Sequence, residues 1–430
     1  MGLLIRGGRV IDPAQELSER ADVLIEGGRI AAVGVGIAAG RHEVIDADGL
    51  LVVPGLIDMH VHLRDPGQTH KEDILSGATA AASGGFTTVA CMPNTDPPLD
   101  HPVALAYVRS RAEEAACRIA PIAAITRNRA GRELAPLAAL AAAGAVAFSD
   151  DGAAVADAGL LRLAMRYATM TGRPIIEHCE DAALSAGGVV HDGPHAAVLG
   201  LAGIPSESES VIVARDLLIA EAVGARLHIA HVSSAQSVRL IREAKRRGVR
   251  VTAEVTPHHL VLTDTDVGEF DADRKMNPPL RGEADRAELR EALADGTIDA
   301  IATDHAPHAP EEKLVEFDRA PFGVIGLETA VGVILTHLVA PGLLSLDQMV
   351  RAMSWAPARI LGLPAGTLAA GTPADVTVID PHRRWTVRAE AFASRARNTP
   401  FDGWTLTGKA VLTVVGGRPR YSELPAVAIS

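Results

Sequence analysis

The stretch DMHVHLRDPG, Asp58–Gly67, sets two histidines one residue apart and an arginine two residues beyond them. Side chains alternate along an extended chain, so His60 and His62 face one side with Cα atoms about 6.6 Å apart. Two imidazoles so placed converge on one cation. Further along, the ends of apolar runs deliver Asp150 and Asp151 in AVAFSDD, His178 in RPIIEHC, His231 in RLHIAHV, and Asp304 with His305 in IDAIATDH. Buried charged groups are costly unless they are paired or bound to metal. A satisfied polar group explains a lone histidine such as His101 or His337, but it is a weak account of this whole set.

Several imidazoles with carboxylates suit a borderline metal such as zinc, with Mn, Fe or Co as other occupants. The set exceeds the three protein ligands that one catalytic zinc generally uses, so two ions sharing a carboxylate and a hydroxide are expected. The residues alone leave the choice between Asp150 and Asp151 open. Cys179 follows His178 and should point to the opposite face of its strand, and Cys91 reads as packing. Arg64 offers a planar fork that grips a carboxylate, the other reading being a rim salt bridge with Asp65. Asn94 in MPNTDPP and Asn277 in KMNPPLR stand in proline-stiffened loops after strands, where their amides are held in place. In ATDHAPHAPEEK, Asp304 combines the roles of metal ligand and catalytic proton shuttle, and His308 lies just beyond. The charged, proline-bearing segment Ala309–Gly323 reads as a lid, and His258 with His259 as support behind the ligands.

Elements must bring these residues together. Eight apolar runs, LIDMHVH, FTTVACM, CRIAPIAAI, AVAFSD, RPIIEHC, RLHIAHV, VRVTAEV and IDAIATDH, alternate with segments of helical spacing such as AQSVRLIREAKRRG. That predicts an α/β fold, a (β/α)8 TIM-type barrel, whose active sites lie at the C-terminal ends of the strands. An open doubly wound sheet is the competitor, but no G-x-G-x-x-G follows a strand and opens a helix. Short strands with glycine turns fill both ends of the chain and predict one small discontinuous β-sandwich domain. The expected division is 1–53 for its first part, 54–362 for the barrel and 363–430 for its second part.

The 430 residues are 48% hydrophobic but only 3% aromatic, which points to a core of aliphatic side chains and alanine. A net charge of -12 argues against a nucleic-acid partner. The densest basic cluster, Lys245-Arg246-Arg247, reads as a solvated helix end. Three unpatterned cysteines fit a reducing compartment, and no apolar run is long enough for a bilayer. A cytoplasmic protein without membrane contact is expected.

PGLIDMHVHLRDPG and ATDHAPHAPEEK resemble the two signatures of the cyclic amidohydrolases, and most closely those of the bacterial dihydroorotases. The resemblance covers nearly the whole chain, including both terminal β-segments. It implies a zinc-dependent cyclic amide hydrolase acting on a small molecule, the reversible cyclisation of N-carbamoyl-L-aspartate to L-dihydroorotate in pyrimidine (UMP) biosynthesis. Carried over by position, it implies that His60, His62 and Asp304 bind one Zn2+, that His178 and His231 bind a second, and that Asp151 and a hydroxide bridge them. It assigns substrate contacts to His62, Arg64, Asn94, Asn277, His308 and the backbone around Phe322 and Gly323.

Hydantoinases, dihydropyrimidinases and allantoinases are similar but bridge their metals with a carboxylated lysine after strand four, where this chain reads FSDDG. Arg64 also argues against their substrates, which lack the equivalent carboxylate. A non-catalytic dihydroorotase-like partner of aspartate carbamoyltransferase is the remaining alternative, and the intact ligand set argues against it. The resemblance further implies a homo-oligomer, with aspartate carbamoyltransferase as the candidate partner.

Overall fold

A computed structural model describes residues 2–268 and 270–425. Of the terminal segments expected to form the β-domain, residues 1 and 426–430 lie outside the described residues. Eight short strands pair in parallel in chain order: Leu56–Val61, Phe86–Cys91, Arg118–Ala123, Ala147–Phe148, Ile175–Glu177, Leu227–Ile229, Val251–Val255 and Ala300–Ile301. Each falls within one of the eight apolar runs. The last returns to the first through a bridge between Val61 and His305, where His62 N donates to His305 O at 2.8 Å. That return makes a nearly closed (β/α)8 barrel and excludes the open sheet.

Strands covered on both faces read as continuous apolar runs. Phe148, Ile175 and Ile229 pack in the main hydrophobic cluster, while their neighbours Ala147, Ile176 and Ala230 belong to a second cluster that fills the barrel. Alanine, methionine and branched aliphatic side chains make up that second cluster, with no aromatic ring among its described residues.

The helix Ala235–Arg246 shows how the outer layer is specified. Ser234 caps it by accepting from Ser237 N at 3.2 Å, and Val238, Ile241 and Ala244 bury one stripe. Lys245 and Arg246 fall in the last turn, where cations suit the helix dipole. Lys245 pairs with Asp299 at 2.7 Å and Arg247 with Glu221 at 3.1 Å, so the basic trio is a helix end.

The terminal segments share one eight-stranded sheet. Leu3–Asp12, Leu17–Glu26, Arg29–Gly34, Glu43–Asp46 and Leu51–Pro54 come from one end of the chain, and Val376–Thr386, Thr405–Val415 and Arg418–Ser422 from the other. Leu51–Pro54 joins them, pairing parallel with Leu3–Asp12 and antiparallel with Val376–Thr386. The sheet has its own hydrophobic cluster, including Ile5, Val23, Val376 and Leu412. Arg118 Nε to Asp375 Oδ2 at 2.8 Å and Thr377 Oγ1 to Gly85 O at 2.6 Å tie it to the barrel.

Segment Ala309–Gly323 lies against the loop that carries Asn277. Lys313 Nζ donates to Ala272 O at 2.9 Å and Pro321 O at 2.8 Å, and Lys275 Nζ donates to Phe317 O at 2.7 Å. Among the described residues no helix is long and apolar enough to cross a membrane.

Candidate metal centre and substrate cavity

His60, His62, Asp151, His178, His231 and Asp304 meet at the C-terminal rim of the barrel, all buried. His60 and His62 have ring centroids 5.4 Å apart, as alternation predicts. His60 Nε2 lies 3.3 Å from Asp151 Oδ1 and 3.5 Å from Asp304 Oδ1. His62 Nε2 lies 3.0 Å from Asp304 Oδ1 and 3.6 Å from Asp151 Oδ2. On the other side, His178 Nδ1 and His231 Nε2 are each 3.8 Å from Asp151 Oδ1 and 2.9 Å from one another. Asp151 therefore faces both groups of imidazoles. Asp150 turns away, accepting from Ile125 N at 2.9 Å and Thr126 N at 3.0 Å.

Other residues at the strand ends also point elsewhere. His305 faces Glu72, with Nε2 3.6 Å from its carboxylate. Cys179 turns toward Asp216, on the face opposite His178 as expected, and Cys91 packs in the core. His101 caps the helix Pro102–Ala112.

The outward nitrogens of three imidazoles are occupied by acceptors. His60 Nδ1 is 2.6 Å from Glu254 Oε1, His62 Nδ1 2.8 Å from Asn94 Oδ1, and His178 Nε2 3.3 Å from Glu180 Oε2. Each acceptor holds a proton on the outer nitrogen and so turns the other nitrogen's lone pair inward, an arrangement typical of metal-ligating histidines. His60 Nε2 and Asp151 Oδ1 are buried with no hydrogen-bond partner. Burial opposes charge on His60, yet Asp151, Glu254 and Asp304 outweigh it and draw its pKa well above the ordinary value. Burial likewise opposes charge on Asp304, but His60 and His62 hold its carboxyl well below the usual range. The cluster thus demands positive charge at its centre. Three triads, His60-His62-Asp151, His60-His231-Asp304 and Asp151-His178-His231, have their donor atoms mutually within 4.8 Å. The residues fit a metal centre.

Glu254 was not among the residues expected at the site. It is 1% exposed in the seventh strand, accepts from His228 Nε2 at 3.1 Å as well as from His60, and His228 Nδ1 lies 2.8 Å from Thr252 Oγ1. Burial opposes its charge, but His60 and His228 bring it down to about 2. A carboxylate inside the apolar run VRVTAEV was the available signal. His259 serves as support, with Nε2 3.0 Å from Pro278 O beside Asn277.

A cavity of about 390 Å³ opens on the cluster. His62, Arg64, Asn94, Asn277, His308, Phe322 and Gly323, all expected as substrate contacts, line it together with Asp304. A period of two would carry Arg64 onto the face of His60 and His62, but the chain turns first. The first strand ends at Val61, and Arg64 has a left-handed backbone, φ +59°, so a turn and not strand alternation aims it. Its Nε donates to Pro307 O at 3.1 Å, and Asp65 accepts from Tyr107 instead of pairing with it. Burial lowers Arg64 to about 10, leaving a charged guanidinium in the cavity. His231 and Asp304 also have positive φ, +31° and +48°. Such conformations cost of order 1–3 kcal/mol each and cluster where function requires them.

An eight-stranded barrel with a His/Asp cluster and a polar cavity on its C-terminal rim defines the amidohydrolase class. Residues 49–237 match the family described as Dihydro-orotase-like, and residues 212–421 match the Amidohydrolase family. The chain is 56% identical to a dihydroorotase of Pelotomaculum thermopropionicum, covering 97% of this chain and 98% of that one. It is 52% identical to a dihydroorotase of Syntrophus aciditrophicus, covering 98% and 100%. Among solved structures, the L-hydantoinase (dihydropyrimidinase) of Arthrobacter aurescens superposes with a TM-score of 0.88 at 28% identity, covering 100% of this chain and 98% of that one. The chain belongs to the dihydroorotase family of amidohydrolases.

Proposed function

We propose that the chain is a dihydroorotase, interconverting N-carbamoyl-L-aspartate and L-dihydroorotate with two zinc ions. The observation that carries the substrate is Arg64, buried, without an acidic partner among the described residues, in one cavity with Asp304. A cation kept there suits a substrate carboxylate held at a fixed distance from the reacting amide. Hydantoin and allantoin present no such group.

His60, His62 and Asp304 would hold one ion and His178 and His231 the other, with Asp151 between them. Zinc suits imidazole and carboxylate donors, and a pair of such ions supplies a Lewis acid for a carbonyl and lowers the pKa of water. Asp304 lies beside His60 and His62 and lines the cavity, where its carboxylate can take up a proton and return it. In hydrolysis, water adds to the ring carbonyl beside the saturated carbon and the bond from that carbonyl to the ring nitrogen breaks. Asp304 takes the proton from the water and delivers it to the leaving nitrogen. In closure the ureido nitrogen attacks the side-chain carboxyl carbon, Asp304 moves that nitrogen's proton to the departing oxygen, and a second proton taken up from solvent lets the oxygen leave as water.

Asn94 accepts from His62 and donates to Asp151 at 3.4 Å, so it steadies ligands while lining the cavity. His308 is kept neutral, because burial and the neighbouring Arg64, Lys313 and Lys71 push it down to about 3. The test is an absorbance assay on L-dihydroorotate, dihydrouracil and allantoin, with metal content measured on the same sample. Loss of dihydroorotate alone, with about two zinc ions per chain, is expected; turnover of the other two at equal rates would overturn the substrate assignment.

A further inference from the structure

The acceptors behind the ligand histidines are not equivalent. Glu254 is wholly buried, and its hydrogen-bond partners, His60, His228 and the His231 backbone, all belong to the barrel strands or their ends. Glu180 stands at the rim with its side chain 19% exposed, and its Oε2 receives two donors from different structures. One is His178 Nε2 at 3.3 Å, part of the metal cluster. The other is Asn277 Nδ2 at 3.0 Å, from the loop that lines the cavity. With its amide nitrogen engaged on Glu180, Asn277 offers its oxygen to the cavity, an acceptor for a substrate N–H.

The Asn277 loop has its own supports. His259 holds Pro278 O, and Gly323 N donates to Lys275 O at 2.9 Å, which links the loop to the segment forming the cavity's far wall. A substrate that fixes Asn277 thereby fixes the Glu180 oxygen, and that oxygen fixes the ring of His178 with Nδ1 inward.

We propose that Glu180 is a positioning residue coupling occupancy of the cavity to retention of the metal at His178 and His231, so that substrate and metal tighten each other's binding. The inference rests on the function proposed above. Such coupling is reciprocal by linkage and typically amounts to a factor of about 5–150. At the other position His60 is backed by Glu254, whose side-chain partners His60 and His228 do not line the cavity, whereas His62 is backed by Asn94, which does.

The experiment uses the zinc-loaded full chain and reads zinc affinity by chelator competition, with and without a saturating equilibrium mixture of dihydroorotate and carbamoylaspartate. In the wild type the substrate mixture is expected to tighten the more weakly held zinc about tenfold. Glu180→Ala should abolish that dependence and raise KM. Asn277→Ala, which breaks the same bridge from its other end, should abolish it too. Glu180→Gln, whose amide oxygen can receive both donors, should restore part of it. Zinc affinity that ignores substrate in the wild type, or the same tightening in Glu180→Ala, overturns the coupling while leaving the dihydroorotase reading intact. Absence of dihydroorotate turnover by the wild type overturns both.

Discussion

Asp304 stands where three demands meet: it lies beside His60 and His62, it lines the cavity, and its backbone holds a φ of +48°. Asp304→Asn keeps the shape and removes the base, so kcat should fall about 10²- to 10⁴-fold; steady-state rates near wild type would remove it from proton transfer. Arg64→Met should raise KM for dihydroorotate about 10- to 100-fold, the equivalent of a charged hydrogen bond of about 1.5–3 kcal/mol. An unchanged KM would mean that another group holds the carboxylate. Glu254→Gln should weaken zinc binding about 10- to 100-fold by loosening His60, which chelator competition measures directly. The sequence exposed His60, His62, His178, His231 and Asp304 because each is out of place at the end of an apolar run. Glu254 and Glu180 were not legible in the same way, since a single carboxylate in or after a strand has many ordinary uses until its partner is known. Asp151 over Asp150 could not be read from residues alone, because which side chain turns inward after Phe148 depends on Thr126, more than twenty residues earlier, capturing Asp150.

At the scale of elements, strand placement was legible because strands covered on both faces read as mainly apolar runs, and each of the eight falls within one. The aim of Arg64 was not, because it depends on a turn beyond the strand. The segment Ala309–Gly323 was expected as a lid, and its fastening depends on Lys313, which burial brings down to about 8. Between pH 8 and 10.5 the unfolded chain holds a proton on this lysine that the folded chain does not, so this group makes stability rise with pH across that window. Lys313→Met removes the effect. The difference in urea midpoint between wild type and variant should therefore grow in favour of wild type from pH 7.5 to 9.5; a constant difference would mean that Lys313 titrates normally.

For the whole molecule, binding of an anionic substrate by a chain of net charge -12 has to come from local cations. Zinc that binds only the folded state adds stability, about 2.7 kcal/mol at a hundred times its dissociation constant. A strong chelator should accordingly lower Tm, and added zinc should restore it; a Tm indifferent to both would count against the metal centre proposed for these six residues.

The terminal sheet also sets a schedule for synthesis. Leu51–Pro54 pairs with Val376–Thr386, which leaves the ribosome about 320 residues later. At 5–20 residues per second the early strands wait about 16–60 s with one edge unpaired. An unpaired apolar edge invites association with other chains, so the vulnerable moment for this protein falls during its manufacture, before the metal centre is complete.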